Sequence, residues 1–122
     1  AESDFVTLHL PLTDSNHHML DSSAFQQMKS SAYLINTSRG PLVDHSALAI
    51  ALEQGEIAGA ALDVQEPEPP DLSQPPFNDP RVIITPHAAF VSVESLIALR
   101  LSSVQNTLDV LLLGESKNTV NF

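Results

Sequence analysis

Tyr33-Leu34-Ile35-Asn36-Thr37-Ser38-Arg39-Gly40-Pro41-Leu42-Val43-Asp44 decides how this chain is read. A short apolar run, Tyr33 to Ile35, has the residue types of a buried strand. It stops at small polar residues that deliver one arginine, beside a glycine, to the strand's carboxyl end. In an open α/β sheet, ligands bind in the crevice outside that end. Arginine is permanently charged and planar, so Arg39 at such a place can clamp a carboxylate through two parallel hydrogen bonds. Asp63-Val64-Gln65-Glu66-Pro67-Glu68-Pro69 and Thr85-Pro86-His87-Ala88-Ala89 each follow another short apolar strand. An arginine, an acid and a histidine at the same end of neighbouring strands make a candidate catalytic constellation.

Working outward, Phe5 to His9 reads as a strand ended by Pro11, and Leu12 to His18 as a polar loop. Asp21 or Ser22 can cap a short helix through Met28, ahead of the strand Ala32 to Asn36. Asp44 is a good N-cap for a helix from His45 to Glu53, with Gly55 as its stop. Ile57 to Val64 is a third strand and Val82 to Ile84 a fourth. Between them, Glu66 to Arg81 holds six of the nine prolines and excludes regular structure. A long amphipathic helix runs from Val93 to Leu113, with Leu96, Leu99, Val104, Leu108 and Leu112 among its apolar positions, and Gly114 ends it. Glu115 to Phe122 is a tail. Apolar strands alternating with helical patterns imply parallel βαβ units. No G-x-G-x-x-G follows a strand, so the chain has no phosphate-cradling turn, and the acidic helix start at Asp44 would repel a phosphate.

With 122 residues the chain fits one domain or part of one, and 43% apolar residues suffice for a core. Five basic residues against fifteen acidic ones give a net charge of −10, which argues against nucleic acid and anionic membrane surfaces as partners. There is no cysteine, hence no disulfide and no thiolate metal site, which suits a cytoplasmic protein. No apolar run approaches a bilayer span, and no signal-peptide pattern opens the chain. It starts at Ala1 without methionine and enters a strand almost at once, as an excised piece of something longer would.

Each candidate has a blander reading. Arg39 could cap a helix end, Asp63 could cap a turn, and Glu66 and Glu68 could be solvated acids in a proline-rich loop. An isolated histidine at a strand end is more often structural, but a carboxylate neighbour would make His87 a candidate general acid. His9, His17, His18 and His45 form no ligand set. The adjacent His17 and His18 have no Asp, Glu or His at a metal-like spacing, so no metal is expected. Ser38 with His87 and Asp63 could suggest a hydrolase triad, but there is no nucleophile elbow.

Four motifs in order then carry a resemblance. Ser3-Asp4-Phe5-Val6-Thr7-Leu8-His9-Leu10-Pro11-Leu12-Thr13, continuing to Asn16, Met19 and Asp21, is the first; Met28-Lys29 through Asp44 is the second. Gly59-Ala60-Ala61-Leu62-Asp63-Val64 with Glu68-Pro69 is the third, and Thr85-Pro86-His87 the fourth. Together they resemble the D-isomer-specific 2-hydroxyacid dehydrogenases, in particular the second half of their NAD-binding domain. The resemblance implies an α/β fold over residues 1–122: a partial Rossmann-like domain of about four parallel strands with helices on both faces. It implies an oxidoreductase using NAD or NADP on a small 2-oxo or 2-hydroxy acid. Arg39 would hold the substrate carboxylate, His87 would be the acid/base and Glu68 its partner. Asp63 would contact the nicotinamide carboxamide, and Leu10, Pro11, Asn36, Thr37, Ser38, His87 and Ala89 would lie against the cofactor.

The family's glycine-rich turn, its ribose-reading acid and its substrate domain have no counterpart in this sequence, so the isolated chain is expected to hold no cofactor tightly. His87-Ala88-Ala89-Phe90 is also similar to a variant shared with transcriptional corepressors of this fold. A corepressor-like or nucleotide-sensing binding protein, or an inactive truncated domain that self-associates, are therefore the alternatives. The first strand would be an unpaired edge and the helix from Val93 to Leu113 a second candidate surface, so a homo-oligomer with the strand or this helix at the contact is expected.

Overall fold

Four short runs of β-forming or small residues become the strands β1 (Phe5–Leu8), β2 (Tyr33–Asn36), β3 (Gly59–Leu62) and β4 (Val82–Ile84). In the computed structural model, which describes residues 2–116 and 118, they form one sheet in the order β1-β2-β3-β4. Every pairing is parallel. Register puts Val6, Leu34, Ala60 and Val82 in one row and Leu8, Asn36, Leu62 and Ile84 in another. Side chains alternate along a strand, so both rows share a face.

The helices α1 (Ser22–Gln26) and α2 (His45–Gln54) pack on that face. Phe25 of α1, Leu48 and Leu52 of α2, and Leu34 of β2 are fully buried in one cluster. Asp21 caps α1 by accepting from the Ala24 N–H, and Asp44 caps α2 by accepting from the Ser46 and Ala47 N–H groups. Gly55 ends α2 with φ at 69°, a left-handed turn that glycine takes without steric cost. The sequence pattern predicts helices on both faces. Within this unit both crossover helices lie on one, because sequentially adjacent parallel strands joined by right-handed crossovers return on the same side. The other face presents Phe5, Tyr33 and Ile83, exposed by 65%, 45% and 66%.

Two features lie outside the predicted pattern. A 3-10 turn, Gly40–Leu42, follows β2. A parallel bridge between Leu20 and Val43 then ties the loop before α1 to the start of α2. The proline-rich segment between β3 and β4 holds neither helix nor strand, as expected.

The chain divides into two compact units, Ala1–Ala89 and Phe90–Phe122. The second consists chiefly of α3 (Val93–Leu113), capped at Ser92 by a reciprocal pair of bonds with Ser95 and ended by Gly114. None of its residues is buried. By length and composition alone α3 could cross a bilayer. The expectation that no apolar run approaches a bilayer span is corrected to this extent: α3 has the length and composition although Arg100, Ser102, Ser103, Gln105, Asn106 and Asp109 interrupt its apolar residues. Most of the tail predicted at 115–122 falls outside the described residues.

Candidate active site

The carboxyl end of β2 is built by Asn36. Its amide is fully buried; Oδ1 accepts the Ser38 N–H at 3.0 Å and Nδ2 donates to the Arg39 carbonyl at 2.9 Å. Ser38 Oγ donates to the Leu8 carbonyl at 2.6 Å, fastening this turn to β1. Thr37 and Arg39 are left exposed, and the Arg39 guanidinium donates to the Ser38 carbonyl at 2.7 Å. Gly40 follows because nothing larger fits: a Cβ there would lie 2.1 Å from the Gln65 carbonyl oxygen. The arginine turn is thereby seated directly on the loop after β3.

Asp63 ends β3 and organises the loop after β4. Its backbone carbonyl accepts the His87 N–H at 2.8 Å. Its carboxylate, on a residue only 5% exposed, accepts the Ala88 and Ala89 N–H groups at 2.9 and 2.8 Å and the Thr85 hydroxyl. Burial pushes this carboxyl up. The bonds from Thr85, Ala89 and Ala88, with the His87 charge, outweigh that and hold it below the usual carboxylate range. His87 is held at φ 51°, a conformation uncommon for a residue with a side chain, so the surrounding bonds must impose it.

Gln65 is buried, and its Nε2 donates to the Leu62 and Thr85 carbonyls at 2.9 and 3.3 Å, joining the ends of β3 and β4. Its own N–H donates to Glu68 Oε1 at 2.8 Å. The second carboxylate oxygen, Oε2, meets His87 Nδ1 at 3.0 Å. The His87 bond first, and the Gln65 N–H second, hold Glu68 below its ordinary value. With Glu68 ionised, Nδ1 carries the hydrogen, and Nε2 is turned to the far side of the ring.

Two concavities flank these residues. A groove of about 240 Å³ on the open sheet face has an apolar floor of Ile35, Ala61 and Ile83, with Thr37, Asp63 and Ala89 at its rim. A larger one of about 600 Å³ is lined by Glu68, His87, Pro86, Pro70 and Leu72. The expected residues thus sort into groups. Glu68 and His87 meet, and Asp63 positions His87 and Ala89. Among the described contacts Arg39 reaches neither Glu68 nor His87. Leu10 packs against the core, and the Pro11 carbonyl accepts from Asn16 at 2.8 Å. Glu66 is exposed as expected, but its carboxylate lies 3.5 Å from His18 Nε2. Local spacing had given His17 and His18 no acidic partner; the fold supplies one from a distant loop. Gln65 and Thr85 were missed, since a single polar residue beside an apolar strand carries no pattern.

The family model described as D-isomer specific 2-hydroxyacid dehydrogenase, NAD binding domain, matches residues 1–89. Glyoxylate/hydroxypyruvate reductase B of Escherichia coli (strain K12 / DH10B) is 44% identical over 120 residues, 98% of this chain and 37% of that protein. Among solved structures, a D-lactate dehydrogenase from Sporolactobacillus sp superposes with a TM-score of 0.83 at 39% identity, covering 98% of this chain and 40% of that one. A D-isomer specific 2-hydroxyacid dehydrogenase from Lactobacillus delbrueckii ssp. bulgaricus, in its NAD-complexed form, gives 0.83 at 36% identity with the same coverage. The chain therefore spans well under half the length of these relatives.

Proposed function

Because the chain belongs to the D-isomer-specific 2-hydroxyacid dehydrogenase family, we propose that it supplies the catalytic residues of an oxidoreductase interconverting 2-oxo acids and D-2-hydroxy acids. The observation that carries this reading is the 3.0 Å contact between His87 Nδ1 and Glu68 Oε2 at the carboxyl end of the sheet. His87 Nε2 gives a proton to the substrate's carbonyl oxygen and takes it back in the reverse direction. Glu68 fixes the imidazole tautomer and stabilises the imidazolium. Arg39 leaves the Ser38 carbonyl to clamp the substrate carboxylate.

Bound NAD or NADP supplies the hydride. The groove above Ile35, Ala61 and Ile83 suits a flat ring, with Thr37 and Ala89 at its edge. Asp63 faces the same groove, while Leu10, Pro11, Asn36 and Ser38 shape the strand ends around it. The chain contributes the second half of a nucleotide-binding domain, and its lack of a glycine-rich turn means that the pyrophosphate is held by other segments. Its freedom from cysteine fits work in the cytoplasm. In the isolated chain, with no cofactor bound, a second copy covers the open sheet face. The test of the reaction is steady-state kinetics in a full-length protein carrying this chain. His87→Ala should abolish most turnover, and unchanged turnover would exclude His87 as the acid.

A further inference from the structure

Adjacent side chains on an extended strand point to opposite sides. His17 and His18 do not: their rings stack face to face, centroids 3.9 Å apart and planes within 27°. The cause is His18, which adopts φ 52° and turns the chain back on itself. That conformation is braced from outside the turn. The His18 N–H donates to the Pro41 carbonyl at 2.8 Å, and the Leu20 N–H to the Leu42 carbonyl at 3.0 Å. Glu66 comes from the loop after β3, where the next residue back, Gln65, lies against Gly40, and its carboxylate is 3.5 Å from His18 Nε2. One donor atom from each of His17, His18 and Glu66 then lies within 4.8 Å of the others.

We propose that His17, His18 and Glu66 form a binding site for a divalent transition-metal ion, with zinc the natural occupant. Two imidazoles and a carboxylate on one centre are a ligand set suited to such an ion and poorly suited to magnesium or calcium. A small rotation of the exposed His17 and Glu66 side chains brings the three atoms to coordinating distance, and solvent fills the remaining position. A structural role alone would need only the His18–Glu66 pair; it gives no reason for His17 to be stacked beside it. The site stands apart from the Glu68–His87 pair and does not depend on the oxidoreductase reading.

The experiment is a titration of the tag-free 122-residue chain with zinc chloride, followed by calorimetry and by the histidine ring signals in NMR. One zinc per chain with a micromolar dissociation constant is expected, with the His17 and His18 signals moving first and those of His9 and His87 unmoved. His17→Ala, His18→Asn and Glu66→Gln should each weaken binding by at least about tenfold; asparagine keeps the left-handed backbone of position 18 accessible. Magnesium chloride in excess should not compete. Millimolar binding, or zinc affinity unchanged in all three variants, overturns the site.

Discussion

Asp63 holds the backbone of His87 by its own carbonyl, at 2.8 Å, while its carboxylate takes the next two N–H groups, those of Ala88 and Ala89. One residue at the end of β3 thus sets where the histidine at the end of β4 stands. The turn-capping role that the sequence allowed for Asp63 is itself a service to the site, because it forces His87 into the left-handed conformation that presents its ring to Glu68.

Asp63→Asn should therefore disturb His87 without touching it. The amide sets an N–H donor against a backbone N–H, leaving a buried donor unsatisfied at a cost of about 1–3 kcal/mol. Urea unfolding should show the lower midpoint, and NMR the loss of the His87–Glu68 contact. The folded-state carboxyl of Asp63 is depressed, so its stabilisation is present above the ordinary carboxylate value and is lost as pH falls through the folded value. The wild-type chain should lose stability over that acid window, and Asp63→Asn should flatten the loss.

Gly40→Ala tests how the arginine turn is seated. The new Cβ would meet the Gln65 carbonyl oxygen at 2.1 Å, and backbone cannot yield as a side-chain tip can. Separation of the two loops should cost roughly 1–3 kcal/mol or more. Thermal unfolding should register that loss, together with weakened protection of the Gln65 N–H that anchors Glu68.

What the sequence made legible is what is decided locally. Asp44 and Gly55 bracket α2, and Ser92 and Gly114 bracket α3, because caps are chosen by residues within a turn of the helix end. Parallel strands alone put an acid and a histidine at one end of the sheet, and the family resemblance chose Glu68 as the partner of His87. The contacts that were not legible join residues far apart in the chain: Gly40 to Gln65, Gln65 to Thr85, and Glu66 to His18. Nor could hydrophobic patterning tell that the apolar stripe of α3 would belong to a unit of its own with no buried residue.

The three chemical roles should separate in a full-length protein carrying this chain. His87→Ala should cut kcat by roughly 10²–10⁴. Arg39→Lys, which keeps the charge but loses the planar fork, should chiefly raise KM for the 2-oxo acid. Glu68→Gln should lower kcat less than His87→Ala and alter its pH profile, since the ring tautomer is no longer fixed. The Glu68 carboxyl is depressed by its bond to His87. The pair should thus survive as pH falls past the ordinary glutamate value and break below it, which ring nitrogen shifts would follow. Equal kinetic losses in all three variants would contradict separate roles.

The open face of the sheet sets a last expectation, that the isolated chain self-associates weakly. Phe5, Tyr33 and Ile83 are largely exposed there, and the Phe5 and Tyr33 rings stack at 5.8 Å into a single apolar surface. Burying each large apolar side chain contributes about 1.5–3 kcal/mol at most. Association itself costs at least about 4 kcal/mol in lost freedom. Three such side chains on each copy, already partly covered, therefore yield a concentration-dependent dimer rather than a tight one, unless the free edge of β1 adds backbone hydrogen bonds to the partner. Sedimentation equilibrium should show a dimer growing in with concentration. Phe5→Thr combined with Ile83→Thr should shift the balance back to monomer while leaving the fold intact, since both side chains lie off the buried core. A wild-type chain that stays monomeric up to millimolar concentration would mean that a second copy does not cover this face. Association that persists in the double variant would move the contact elsewhere, with the exposed apolar side chains of α3 the next surface to test.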